Sequence, residues 1–377
     1  MLSRRQVLSG MSLCAVALAT AGCTGAPPAG GAVTPLLRGA DLSFTLQEEA
    51  RGATFGDRGR TGPVEHLLAD RGANVVRLRV WVDALAGHSD LGSALVLARR
   101  ARDAGMQLLL DLHYSDTWAD KANQPTPVAW AGRDLASLAE TVRAYTRECL
   151  QAFAAQDTPV DLIQIGNEVT SGMLWPAGQV YRDGREHWAD FVTLLQAGLR
   201  GAHEGGSAAL RTVIHIDRGG DNGGARYFYD HILNRDVDFD VLALSYYPFW
   251  HGPLAALQSN LDDLTARYDK DVLVIETSYP WIIPEGDTSG YFVGRTEQLP
   301  EPERFPPSPA GQAAYFEALR AVLQQVPRGR GLGYLAWEPA WLPGTGWNGG
   351  DSNPYGNLTM FDWHGVGLPS LDTFRQP

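Results

Sequence analysis

Val160-Asp161-Leu162-Ile163-Gln164-Ile165-Gly166-Asn167-Glu168 decides the fold. The stretch is short, aliphatic and β-branched, and it stops at an amide followed by a carboxylate. A run of this kind reads as a strand buried on both faces. Seven similar runs flank it: Leu37–Leu42, Asn74–Trp81, Met106–His113, Thr212–Asp217, Val241–Tyr247, Val272–Thr277 and Leu332–Glu338. Between them lie stretches of helical periodicity, at Leu91–Ala104, Leu135–Ala155, His187–Glu204, Tyr227–Leu233, Leu254–Tyr268 and Gly311–Val326. Eight apolar strands separated by helices predict a parallel sheet covered on its outer face and closed on itself, a (β/α)8 TIM barrel forming one catalytic domain over 37–377. An open doubly wound sheet is the competing architecture. It lacks its mark, because no Gly-x-Gly-x-x-Gly turn follows the first run and no Walker sequence occurs.

Barrel active sites form at the carboxyl ends of the strands. Here those ends read Asp41, Arg79-Val80-Trp81, Asp111-Leu112-His113-Tyr114, Asn167-Glu168, His215-Ile216-Asp217, Ser245-Tyr246-Tyr247, Glu276-Thr277 and Trp337-Glu338. Glu168 and Glu276 each close an apolar run, and a carboxyl at such a mouth is partly desolvated, which raises its proton affinity toward the range useful for proton transfer. One glutamate at a strand end is as readily a salt-bridge partner as a catalyst. Two at one opening suit glycoside hydrolysis, in which one carboxyl protonates the leaving oxygen and the other, about 5–5.5 Å away, attacks the anomeric carbon in retaining enzymes. Long Gly/Pro-rich loops after the last two strands, Pro280–Pro309 and Pro339–Phe361, are of the size that usually carries function.

The net charge of −12 and the absence of any basic run argue against a nucleic-acid partner. Eleven tryptophans exceed what a core requires and suggest a flat, partly apolar ligand. Residues 1–22 read as a targeting segment: Ser3-Arg4-Arg5-Gln6-Val7-Leu8 has the twin-arginine pattern, and the apolar stretch Met11–Ala19 is too short to span a bilayer. Thr20-Ala21-Gly22-Cys23 resembles a lipobox, with Cys23 as the lipidated residue, although a plain secretory peptide cut nearby is the alternative. Residues 23–36 form a flexible Thr/Gly/Ala/Pro tether. An extracytoplasmic monomer is expected, touching membrane only through such an anchor. If Cys23 carries lipid and residues 1–22 are removed, Cys149 is the one thiol left, so no intrachain disulfide forms, and its apolar helical surroundings mark it as buried and inert.

Longer motifs extend this reading. Gly39-Ala40-Asp41-Leu42-Ser43, Val76-Arg77-Leu78-Arg79-Val80-Trp81, Leu112-His113-Tyr114-Ser115-Asp116-Thr117-Trp118-Ala119-Asp120, Gln164-Ile165-Gly166-Asn167-Glu168 and Gly172-Met173-Leu174-Trp175-Pro176 resemble glycoside hydrolase family 53. So do Ser245-Tyr246-Tyr247-Pro248-Phe249-Trp250-His251-Gly252, Glu276-Thr277-Ser278-Tyr279-Pro280-Trp281 and Trp337-Glu338-Pro339-Ala340-Trp341. The resemblance spans Gly39 to Phe374 and implies an arabinogalactan endo-β-1,4-galactanase acting on galactan or arabinogalactan. It makes Glu168 the acid/base and Glu276 the nucleophile, with Arg79 holding the nucleophile ionised and Asn167 bonding the sugar 2-hydroxyl. His113 and Tyr246 would complete the polar cradle, His113 being equally readable as a structural histidine. Trp81, Trp250, Trp337 and Trp347 offer stacking faces, with Trp250 and Trp337 favoured. Asp116, Asp221 and Asn222 are either hydroxyl partners or solvated turn residues.

No cofactor is expected. Many bacterial relatives carry a calcium site after the seventh strand, but here Pro284-Glu285-Gly286-Asp287-Thr288-Ser289-Gly290 keeps only Asp287 as an evident ligand, too few oxygens for a predicted site. No His-x-His or His-Glu-x-x-His pattern points to a catalytic metal. Two rival functions remain: another retaining barrel β-glycanase, a β-mannanase or endoglucanase, sharing both glutamates, and a sugar-binding lipoprotein without catalysis.

Overall fold

The computed structural model describes residues 36–85, 87–346 and 353–376. Cys23, the twin arginines, the tether and Trp347 lie outside the described residues. Eight parallel strands close a barrel: β1 (Leu37–Asp41), β2 (Val75–Val80), β3 (Gln107–Leu112), β4 (Leu162–Ile165), β5 (Arg211–Ile216), β6 (Val241–Ser245), β7 (Asp271–Thr277) and β8 (Gly331–Ala336). Each strand pairs with its sequence neighbours, and β8 pairs with β1. All eight expected strands are present. Outside them lie α1 (Val64–Asp70), α2 (Leu91–Asp103), α3 (Leu135–Ala155), α4 (Trp188–Gly205), α5 (Asn222–Leu233), α6 (Leu254–Tyr268) and α7 (Pro309–Gln325). A 3-10 stretch, Pro369–Phe374, packs against α7. Asp90, Asp134 and Ser308 start α2, α3 and α7 by accepting the backbone N–H three residues on, which fixes where each loop stops.

Strand alternation sorts the barrel into two shells. Val76, Leu78 and Val80 of β2 face the helices, as do Leu108, Leu110 and Leu112 of β3. Val75, Leu109, Leu162, Val213, Val241, Leu273 and Leu332 meet inside as an apolar floor. Two residues further along their strands, the same inward parity gives Arg77, Asp111, Gln164 and His215, all buried. Polar groups thus stack directly above the floor. At β1 the barrel is so tight that a Cβ on Gly39 would stand 1.8 Å from the Val75 carbonyl oxygen.

β7 breaks the alternation. Its register against β6 runs Leu244 to Val274 and then Ser245 to Glu276, leaving Ile275 as an extra residue. Leu273 and Ile275 both belong to the inner cluster, yet Glu276 also turns inward, and Thr277 then faces out to Tyr315 of α7 at 2.7 Å. A bulge of this kind re-aims a side chain at a barrel rim.

Candidate active site

A cavity of about 540 Å³ opens at the carboxyl ends of the strands. Glu168 and Glu276 both line it, with Asn167, His113, Tyr247, Trp118, Trp250, Trp337 and Tyr355 around them. Glu168 follows the turn at Gly166 and has left-handed backbone geometry itself, with φ 44° and ψ 51°. Such a conformation is strained for a residue with a Cβ and persists where its surroundings fix it. Here Gln124 does so, donating from Nε2 to the carbonyl oxygens of Asn167 (2.7 Å) and Glu168 (3.4 Å).

The two carboxyls have contrasting partners. Glu168 accepts one hydrogen bond, from Ser245 Oγ at 2.6 Å. Burial raises its proton affinity, the charges of Glu276 and Asp217 raise it further, and the pKa is pushed up to about 8. Glu276 is bound on both oxygens, by Arg77 Nη1 (2.7 Å) on Oε1 and by the Tyr247 hydroxyl (2.9 Å) on Oε2. Burial lifts this carboxyl too, but Arg77 opposes the lift. Of the pair, Glu276 is the one held as a carboxylate, and Glu168 the one that keeps a proton near neutrality.

Arg77, not Arg79, is the guanidinium bound to Glu276. All five of its N–H groups are used: Nε donates to Gln164 Oε1, Nη1 to Asp41 and Glu276, and Nη2 to Asp111 and Asn167. It sits one pleat deeper than Arg79, among the carboxylates of Asp41, Asp111 and Glu276, where its long side chain reaches Glu276 from below the cavity. Arg79 also lines the cavity, but pairs with Glu338 at 3.2 Å and lies over the ring of Trp118 at 4.4 Å. Asp41 and Glu338 share this corner. Burial would raise Asp41, but Arg79 and Arg77 outweigh it and hold Asp41 low. Glu338 is pushed well up by burial and by the Asp41 charge.

Other expected residues divide. Asn167 is in place, its Oδ1 taken by Arg77 and its Nδ2 bonded to the Ala119 carbonyl at 2.9 Å. His113 lines the cavity and is fixed on both nitrogens, by Asp111 Oδ2 (3.0 Å) and by Trp81 Nε1 (3.2 Å). Burial keeps it neutral. Trp250 is 48% exposed at the lip, its edge against Phe292, and Trp337 forms the wall with Tyr355, ring centres 4.4 Å apart. Tyr246 is not part of the cradle: it faces the helices and donates to the Gly252 carbonyl at 2.7 Å. Tyr247 takes that place, because it shares the inward parity of Val241, Ala243 and Ser245. Trp81 is buried behind His113 and presents no sugar face. Asp116 ties loops together by accepting from the backbone of Asp83 and Val128. Asp221 caps α5, and Asn222 is bonded to Asn260 and Asp263. Asp287 accepts from the Ser289 backbone in an exposed turn. Among the described residues, no three His, Cys, Asp or Glu side chains gather as metal ligands. Cys149 is buried and its thiol pKa is pushed up to about 12.

A barrel with two carboxyls in unlike settings at its carboxyl-terminal mouth, walled by tryptophan and tyrosine, defines a glycoside hydrolase site. Residues 37–374 match the model of glycosyl hydrolase family 53, and the chain belongs to that family. It is 37% identical over 313 residues to arabinogalactan endo-beta-1,4-galactanase A of Aspergillus niger, covering 81% of this chain and 85% of that one. The GH53 catalytic domain of Ignisphaera aggregans superposes with a TM-score of 0.84 at 34% identity, over 90% of this chain and 95% of the other. One of two fungal beta-1,4-galactanases superposes with 0.79 at 33% identity, over 89% and 98%.

Proposed function

We propose that this protein hydrolyses internal β-1,4-galactosidic bonds of galactan and arabinogalactan with retention of configuration. The observation that carries the reading is the contrast between Glu168 and Glu276 within one cavity. Glu276, ionised by Arg77 and Tyr247, attacks the anomeric carbon. Glu168 passes its proton to the leaving glycosidic oxygen as the C–O bond breaks. Water then adds to the galactosyl ester, Glu168 takes its proton, and Glu276 leaves as a carboxylate. Asn167, held by Arg77 and Ala119, is placed to meet the 2-hydroxyl. Trp250 and Trp337 offer apolar faces for sugar C–H groups, and internal cutting is supported by the endo-acting relatives. The choice of galactan is supported by the relatives' activity.

Reducing ends should appear rapidly from potato galactan, as a ladder of oligosaccharides, and hardly at all from mannan or carboxymethylcellulose. Faster cleavage of mannan, or galactose as the sole early product, would overturn the substrate reading. Glu276→Ala should be inactive, with azide restoring a product of inverted configuration. Glu168→Ala with azide should give a retained one from an activated aryl galactoside, and reversed outcomes would exchange the two roles. Export through the twin-arginine route and anchoring at Cys23 belong to the same proposal. Cys23→Ala should leave the protein soluble on fractionation, and equal membrane attachment would refute the anchor.

A further inference from the structure

The loop after β3 is fastened to the strand end that carries Glu168. Gln124 holds it there through the Asn167 and Glu168 carbonyls and through the Asp120 carbonyl at 2.9 Å. Three residues before Gln124 the same loop presents Lys121, whose Nζ lies 3.1 Å from Asp217 Oδ2 at the end of β5. Asp217 is buried, and its other oxygen accepts from Thr170 Oγ1 at 2.5 Å. Thr170 belongs to the Val169–Ser171 turn that begins directly after Glu168. Glu168 therefore sits inside a closed circuit: its own turn, Thr170, Asp217, Lys121, Gln124 and back to its carbonyl. Asp217 is 2% exposed at the side chain and Lys121 47%, and Lys121 also lines the cavity.

We propose that Lys121 is a positioning residue for the acid/base, its ion pair with Asp217 locking the β3 loop over the cleft and setting how tightly Glu168 holds its proton. This rests on Glu168 being the proton donor. The two members of the pair act on Glu168 with opposite sign: the Asp217 carboxylate favours the neutral acid, and the Lys121 ammonium favours the anion. Loss of the Lys121 ammonium would tighten the hold on that proton. The other polar and charged groups facing Glu168 are Glu276 on β7, Ser245 on β6, the phenols of Tyr247 and Tyr355, and His251 after β6. Burial and Lys121 push His251 down to about 4, so it stays neutral across the working range. Arg218 stands 3.6 Å from Asp217 Oδ1 and keeps a cation beside Asp217 in any Lys121 variant.

The test is the alkaline limb of kcat/KM against pH on galactan, at low salt and in ~1 M NaCl. Lys121→Met should move the limb up by roughly half a unit at low salt, and less in ~1 M NaCl because Lys121 is half exposed. Asp217→Asn should move it down by a similar amount, and Lys121→Arg should leave it at the wild-type position. An unmoved limb in Lys121→Met, or limbs moving the same way in Lys121→Met and Asp217→Asn, overturns the proposal. Thermal melts of Lys121→Met at the wild-type temperature separate this from misfolding. Glu168→Ala on an activated aryl galactoside should lose the alkaline limb of the first step. If the limb persisted there, the assignment of Glu168 would have failed, irrespective of what the Lys121 variants do.

Discussion

Tyr247→Phe removes a hydroxyl that donates to Glu276 and also bonds to Tyr355. The hydroxyl stands 2.9 Å from Glu276 Oε2, while the ring packs edge-on against Trp250 with centres 5.2 Å apart. Phenylalanine keeps the ring and deletes the donor. In the proposed double displacement Glu276 leaves the sugar as a carboxylate in the second step, so the lost bond falls mainly on hydrolysis of the ester. A hydrogen bond to a charged group contributes about 1.5–3 kcal/mol, which is roughly 10- to 150-fold in rate. With an aryl β-galactobioside, a burst of phenol followed by a slow steady state should appear, and KM should fall as the ester accumulates. The bond also lowers the proton affinity of Glu276, so the acid limb of kcat/KM should move up by about one unit. A variant with neither a burst nor a moved acid limb would show that Tyr247 does not support the leaving carboxylate.

Three further outcomes follow from contacts in and around the cavity. Arg77→Lys should lose at least two of five buried hydrogen bonds, destabilise by about 2–6 kcal/mol and cost most of the activity, whereas Arg79→Lys should leave the acid limb in place; equal acid-limb shifts would contradict the assignment of Arg77 to Glu276. Trp250→Ala should raise KM about tenfold with little change in kcat, measured on galacto-oligosaccharides; a pure kcat loss would remove Trp250 from binding. Glu168→Gln should melt a few degrees higher at pH 7. The native carboxyl, raised to about 8, contributes its full stability below about pH 4.5 and loses it as pH rises toward 8, whereas the amide does not titrate; partial exposure limits the gain to about 1–2 kcal/mol, and a melting difference that does not grow with pH would refute this.

The eight strands and the two glutamates were legible because apolar runs and their polar ends are local signals. The partners were less so, since they depend on which way each side chain points. Parity along Val241-Leu242-Ala243-Leu244-Ser245 was available in the sequence and favours Tyr247 over Tyr246. Arg77 and Arg79 share one parity, so alternation could not choose between them, and only the depth of the barrel does. Trp81 at a strand end resembled Trp337 by every local measure, but a neighbouring histidine covers it. Lys121 and Phe292 lie in loops brought to the cavity by the tertiary fold, and carried no pattern.

The extra residue in β7 ties the chemistry to a count. Were one residue inserted among Val272–Ile275, the strand could still pair along its length and the helices could still cover it, but alternation would swing the carboxyl of Glu276 among the packing side chains outside the barrel, whereas loss of Ile275 would leave Val274 and Glu276 on their present partners, Leu244 and Ser245. The resulting protein would keep its shape and lose one of the two carboxyls of the cavity. Chains of this kind therefore tolerate insertions very unevenly, freely in the loops and hardly at all within those four residues, where one added residue that barely disturbs folding takes the Glu276 carboxyl out of the cavity.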